Sequence, residues 1–392
     1  MNSTLRKSLI LILSSFFLCT ADLSAQKFVE TITSWFEFNV GKNRLSEDTT
    51  LFVNRVVIAP VATYEPSTSL GLGVGAKLLF KPKKSGLETR TSNLPLSLQY
   101  TLKNQFIFYS GFTVFFDQEK YLLKGNLEFS KFPLSYYGIG NLTVEGDQRE
   151  ITFNNFLLQP LLLRRVAPNL FVGGGWRYNT NRRVELLESD GELPEGTSLQ
   201  DELGSTSSGI EFAVTYDGRD NVLNAQKGNF LEFTHGFYQE AFGSTHNFML
   251  SKLDFRQYLQ LSPNRPYDAL ALQWFARMAW NDTPPLELST LGGPALLRGF
   301  QDNRFRDKIT LFAQAEYRWQ TFERIGFVFF GGLGDVNAKF GDFNFANLKY
   351  DLGIGFRLKI VQSENLNIRF DYGFGFGPEN DRNFYLGIAE SF

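Results

Sequence analysis

The chain has 392 residues, of which 16% are aromatic and 35 are glycine, and 39 basic against 41 acidic side chains leave a formal charge of −2. This near balance excludes a broad positive field for nucleic acid, and the aromatic content excludes a disordered chain. After residue 25 no apolar run approaches the ~18 residues of a membrane helix, so a membrane location would require a β-barrel.

Arg6 and Lys7 precede an apolar stretch from Leu9 to Leu18, and Leu23-Ser24-Ala25 brings small residues ahead of Gln26. Residues 1–25 therefore read as a cleaved secretory signal. The only cysteine, Cys19, lies inside it, so the mature chain is expected to carry no thiol, disulfide or lipid anchor. Residues 26–54 follow as a short periplasmic segment, with Phe28, Val29, Ile32, Trp35 and Phe36 near helical spacing. A short amphipathic helix and a partly ordered leader account for it equally well.

From there to the end the sequence alternates with a period of two. The alternation predicts sixteen strands: 55–64, 70–80, 91–102, 105–117, 119–130, 149–164, 168–181, 208–217, 228–238, 246–261, 267–280, 308–320, 323–336, 348–361, 364–375 and 381–391. Strands of about ten residues cross a bilayer at a ~45° tilt, whereas those of a soluble sandwich run about 5–6 residues. The expected fold is all-β, an antiparallel transmembrane barrel of sixteen strands over residues 55–392. The long connections 131–148, 182–207, 281–307 and 337–347 all fall on one side, as outer loops do in bacterial barrels, and 81–90 is the exception.

In the first strand Pro60 cannot donate to a ladder. Either its missing donor faces the last strand, 381–391, and weakens a seam there, or it sits at a bulge. Gly71-Leu72-Gly73-Val74-Gly75 lies within a strand with no βαβ pattern after it, so it reads as barrel curvature rather than a phosphate loop. The connection from Asp217 through Arg219 and Asp220 to Gly228 has the residues of Asx turns and a positive-φ glycine, and reads as a structural turn. Only His235 and His246 are present, neither in a metal-ligand spacing, and no serine is convincingly spaced to work with His235, which sits between Phe233 and Phe237. No catalysis, metal or cofactor is expected.

Further along, Leu311, Ala313, Ala315, Tyr317 and Trp319 oppose Gln314, Glu316 and Arg318. In 348–360, Tyr350, Leu352, Ile354, Phe356, Leu358 and Ile360 oppose Asp351, Gly353, Gly355, Arg357 and Lys359. In 365–374, Leu366, Ile368, Phe370, Tyr372 and Phe374 oppose Asn365, Asn367, Arg369 and Asp371. Trp274, Trp280 and Trp319 lie near strand ends, as in interfacial girdles. The apolar sets are expected to meet lipid. Arg277, Arg318, Asp351, Arg357, Arg369 and Asp371 are then expected to line a wet lumen.

Three segments carry a family resemblance: Leu291-Gly292-Gly293-Pro294-Ala295-Leu296-Leu297-Arg298-Gly299-Phe300 between the eleventh and twelfth predicted strands, the Asp217–Gly228 turn, and the terminal Phe392. Together they resemble the BamA/TamA family of outer-membrane assembly barrels, the bacterial surface-antigen superfamily. The resemblance implies that the loop bearing Arg298, Gly299 and Phe300 folds into the barrel and that Arg298 pairs with Glu316 on the inner wall; a guanidinium away from water matches a carboxylate fork. A second acid expected on the following strand is replaced by Gly332, with Asp335 displaced from it. It also implies that Phe392 forms part of an assembly signal. Residues 26–54 are too short for the periplasmic POTRA repeats of that family, so the chain is expected to be a member without them. The function implied is non-catalytic insertion or translocation of outer-membrane components in a Gram-negative-type envelope. Its partners would be outer-membrane lipids and client barrels or other envelope-assembly subunits. A passive channel or a structural subunit of a larger complex is the alternative.

Overall fold

The computed structural model describes residues 37–44, 51–65, 69–83, 85–86, 89–102, 105–187, 198–361 and 365–392. The expected signal at 1–25 and the expected helix over Phe28 to Phe36 lie outside the described residues.

Nineteen strands are present among the described residues. They are β1 (Glu37–Arg44), β2 (Leu51–Glu65), β3 (Ser69–Phe80), β4 (Ser92–Thr101), β5 (Phe106–Phe116), β6 (Tyr121–Tyr136), β7 (Arg149–Ala167), β8 (Leu170–Leu186), β9 (Ser205–Asp217) and β10 (Gly228–Tyr238). There follow β11 (Phe248–Ser262), β12 (Arg265–Asn281), β13 (Ser289–Leu291), β14 (Phe305–Asp307), β15 (Ile309–Gln320), β16 (Ile325–Asn337), β17 (Lys349–Val361), β18 (Leu366–Phe376) and β19 (Asp381–Ile388). Seventeen of them make one sheet, and β13 and β14 pair as a separate hairpin within the connection from β12 to β15. Consecutive strands pair antiparallel throughout the meander. Relative to the sixteen expected from alternation, the three additional strands are β1 and the β13/β14 hairpin. β1 runs antiparallel to the start of β2, Glu37 opposite Val57 and Arg44 opposite Leu51, so part of the expected 26–54 leader is sheet.

The two faces of this sheet are reversed from those of a water-soluble protein. Along β17, Tyr350, Leu352 and Ile354 are 50–59% exposed, while Asp351, Arg357 and Lys359 are each 3% exposed. The same parity holds in β15, where Glu316 and Arg318 are buried, and in β18, where Asp371 is buried and Phe370 and Phe374 are exposed. A sheet arranged this way gains nothing by facing its outer side to water, whereas hydrocarbon suits that side. The buried charges require partners, because an ion away from water is stable only when paired.

The last strand corrects the expectation for 381–391. β19 ends at Ile388, and Ala389 has a φ of 79° that turns the chain off the sheet. The reason is Glu390: its carboxylate takes Arg357 at 2.6 Å and Asn367 at 2.6 Å on the charged face. On the apolar side it would have had no partner.

Candidate functional site

The charged face collects three segments that are not part of the sheet. The first is the 292–304 loop. Gly292 and Gly293 have φ values of 109° and 117°, which L side chains rarely adopt, and Leu297 follows at 60°. This tight path carries Arg298 to full burial between two strands: Nη2 lies 2.7 Å from Glu316 of β15 and Nη1 lies 3.0 Å from Asp371 of β18. Its guanidinium also covers the Phe330 ring at 3.5 Å. The next peptide N–H, of Gly299, donates to Asp351 of β17 at 3.0 Å. Backbone contact requires glycine on both sides, since a Cβ on Gly373 would stand 2.8 Å from the Arg298 carbonyl carbon and one on Gly299 would stand 2.4 Å from the Gly375 nitrogen. Phe300 is buried with Leu291, Leu297, Phe305, Phe312 and Val336, and its carbonyl accepts from the Tyr385 hydroxyl at 2.8 Å.

The second acid at Arg298 is thus Asp371, two strands beyond the position where the resemblance seeks it. Gly332 instead leaves room for Leu297, which a Cβ there would meet at 3.1 Å, and Asp335 pairs with the buried Lys349 at 2.5 Å. The other charges join one network. Arg357 holds Asp371 at 2.5 Å and Glu390 at 2.6 Å; Arg369 holds Asp371 at 3.1 Å and the Pro294 carbonyl at 3.3 Å. Arg277 stands apart from these, donating to the Leu288 and Glu287 carbonyls at 3.0 and 3.1 Å.

The second segment is the Asp217–Gly228 turn. Asp220 accepts from the Gln226 N–H, Asn221 accepts from the Leu223 and Asn224 N–H groups, Arg219 doubles back onto Asp217, and Gly228 has a φ of 102°. These are Asx and positive-φ devices. The turn reaches further than local geometry requires: Asn224 donates to the Asn365 carbonyl at 3.2 Å, and Leu223 packs with Val57, Leu79, Ile360 and Leu366.

The third segment is the tail, 389–392. Phe392 packs its ring with Ala225, Tyr258 and Ala271, and its terminal oxygen accepts from Arg318 at 2.9 Å. Arg318 also holds Glu316 at 2.8 Å and the Ala225 carbonyl at 3.0 Å, so one side chain joins wall, turn and tail. Phe392 therefore lies beyond the end of β19 and off the sheet. Pro60 is exposed on β2 and stands opposite Val74 of β3.

Sequence reasoning misses a further pair. Glu287, ahead of β13, binds Arg177 of β8 through both oxygens at 3.1 and 2.9 Å and accepts from Asn179 at 2.7 Å. Burial alone would raise its carboxyl, yet Arg177 holds it below the usual range. Nearby in the loop, burial pushes Asp302 up to about 6. Nothing in the sequence marks Glu287, because its partner is 110 residues distant.

On the opposite, apolar face the structure does bring a serine to His235: Ser251 Oγ lies 2.9 Å from Nδ1 and accepts from the Trp280 indole at 3.2 Å. A hydrolytic triad also needs an acid behind the imidazole and oxyanion donors. The flat ladder of β10 and β11 offers neither in these contacts. Among the described residues no group of three His, Cys, Asp or Glu side chains could hold a metal.

A continuous antiparallel meander with an apolar outer face, and with an arginine-bearing loop seated on its charged face, is thus in place. An Omp85 superfamily domain matches residues 72–392. The chain belongs to the Omp85 superfamily. It is similar to the crystal structure of BamA from Haemophilus ducreyi lacking POTRA domains 1–3, at 12% identity and a TM-score of 0.55, covering 93% of this chain and 78% of that one. It is also similar to CdiB from Acinetobacter baumannii, at 13% identity and a TM-score of 0.56, covering 86% of this chain and 60% of that one. At these identities the likeness concerns the fold, a barrel of the BamA type. No curated protein matches the sequence.

Proposed function

We propose that this Omp85 chain is the membrane barrel of an insertion or translocation factor of the outer membrane. In this reading sixteen strands, β2 to β12 and β15 to β19, close between β2 and β19. The 292–304 loop, the 218–227 turn and the 389–392 tail then occupy the lumen. Clients would be other outer-membrane proteins or envelope components, and bilayer lipids would be the constant neighbours of the outer wall.

The observation that carries the reading is the seam. β19 neighbours β2, but the two touch far more sparsely than any other adjacent pair of the meander. β19 leaves the sheet at Ile388, and the periplasmic half of β2, residues 51–57, pairs with β1 instead. A seam with few ladder bonds is the cheapest place to part a barrel wall, each bond contributing ~0.5–1.5 kcal/mol net and more where lipid excludes water. A passive channel fits less well, because ion-paired segments fill the interior.

Cysteines paired across 58–64 and 382–387 test it, since the mature chain is expected to be free of thiols. A disulfide there should abolish insertion of a client barrel into vesicles containing the protein, and reduction should restore it. Full activity with the seam locked would overturn the insertase reading.

A further inference from the structure

We propose that the outer wall carries a lipid site: a groove under the 338–348 loop that holds an acyl chain of a membrane phospholipid. This rests on the reading above that the apolar face meets the bilayer. Phe343, Phe345 and Leu348 of the loop joining β16 to β17 line, together with residues of β11, β12, β15 and β16, a groove of about 450 Å³. The floor is made by outward side chains that are small, Ala276 and Ala313, between bulkier walls of Leu253, Phe255, Trp274, Leu311 and Leu333. Ala276 stands opposite Leu311 and Ala313 opposite Trp274, so the two alanines are diagonal neighbours and leave an oblique channel between bulkier side chains, of the size of ordinary ligand sites.

Three observations favour a lipid as occupant. The loop exposes Phe345 by 93% and Phe340 by 53%, rings that stabilise contact with hydrocarbon or the headgroup boundary and are costly in water. One pleat above the groove, ~7 Å along β11 from Leu253, the wall turns polar: Ser251 faces His235 and Met278 in register and accepts from Trp280. With Ser251 donating to Nδ1 of His235, Nε2–H is the ring nitrogen left to donate outward, toward an ester or phosphate oxygen. Exposed Lys308 and Lys339 at the same end offer ammonium groups to a phosphate, with Asp282 and Asp342 exposed beside them. Apolar chain below, ester-level donors above it and cations at the rim reproduce the order of groups along a phospholipid.

The test uses full-length protein reconstituted in vesicles of phosphatidylethanolamine and phosphatidylglycerol, then moved to detergent and weighed intact by native mass spectrometry. Wild type should retain a single lipid. The double variant Ala276→Phe and Ala313→Phe, which fills the floor, should retain roughly tenfold less. Val172→Phe, on the exposed wall of β8, should retain it as wild type does, and all three should keep their heat-dependent gel shift. Equal retention by the filled variant, no retention by wild type, or a second protein chain in place of lipid would each overturn the site. Wild type that fails to enter vesicles at all would overturn the membrane reading with it, so the two failures are distinguishable.

Discussion

The Arg298 guanidinium and the Asp371 carboxylate, 73 residues apart in sequence, meet at 3.0 Å in full burial. Glu316 holds the other nitrogen of the same group, so one loop side chain ties β15 to β18 across the two strands between them. Arg298→Ala would leave both acids facing only Arg318, Arg357 and Arg369. We expect a loss of about 3–5 kcal/mol, read as a lower temperature for the shift of the folded barrel on gels. Exchanging Arg298 and Glu316 should restore little, because the new glutamate would face Asp371. Full recovery by the exchange would show that Asp371 contributes nothing.

Loop seating should also fail when the charges are kept. Gly373→Ala puts a methyl 2.8 Å from the Arg298 backbone and should cost about 1–3 kcal/mol by overpacking. Trypsin should then cut at Arg298 or Arg304 in the folded protein. An unchanged digest would place the loop elsewhere.

The tail gives a third expectation. Phe392→Ala removes a buried ring and should lower stability by about 3 kcal/mol, while a single glycine added after Phe392 keeps the ring but moves the terminal carboxylate away from Arg318. Both should reduce the folded fraction. An added glycine without effect on membrane levels would leave only the ring as important.

Two loop acids should give opposite pH dependences. Asp302 titrates at about 6, above its ordinary ~3.9, so the folded state binds its proton more tightly. Its contribution is full below pH ~4 and is lost as pH rises toward 6, a decline of about 2 kcal/mol that Asp302→Asn should abolish. Glu287 is held low beside Arg177, so its contribution is present above pH ~4.3 and is lost as pH falls. Glu287→Gln should flatten that acid limb. Urea unfolding across pH 3 to 7 checks both.

Period-two patterning makes the wall legible. In 310–319, and in 348–360 as far as Leu358, the sequence alone separates the more exposed side chains from the buried ones, because each strand segregates its own faces; Ile360, set with the outward residues by alternation, is instead buried against Leu223, where the register shifts between Lys359 and Val361. Contacts between non-adjacent strands are not encoded locally. Asp371 reaches Arg298 only because the loop crosses from β15 to β18, and Glu287 reaches Arg177 across 110 residues. The turn at 217–228 shows its Asx geometry in sequence but not its approach to Arg318. The tail was partly readable: Glu390 breaks the alternation of Phe384, Leu386 and Ile388, and the chain leaves the sheet at that break.

The seating of Phe392 also links distant parts of the meander. Its ring rests among Ala225 of the 218–227 turn, Tyr258 of β11 and Ala271 of β12, and its oxygen accepts from Arg318 of β15. The four residues after Ile388 therefore fasten the end of β19 to the middle of the sheet, so that a displacement of β19 is felt at β11, β12 and β15 without passing strand by strand through β16 to β18.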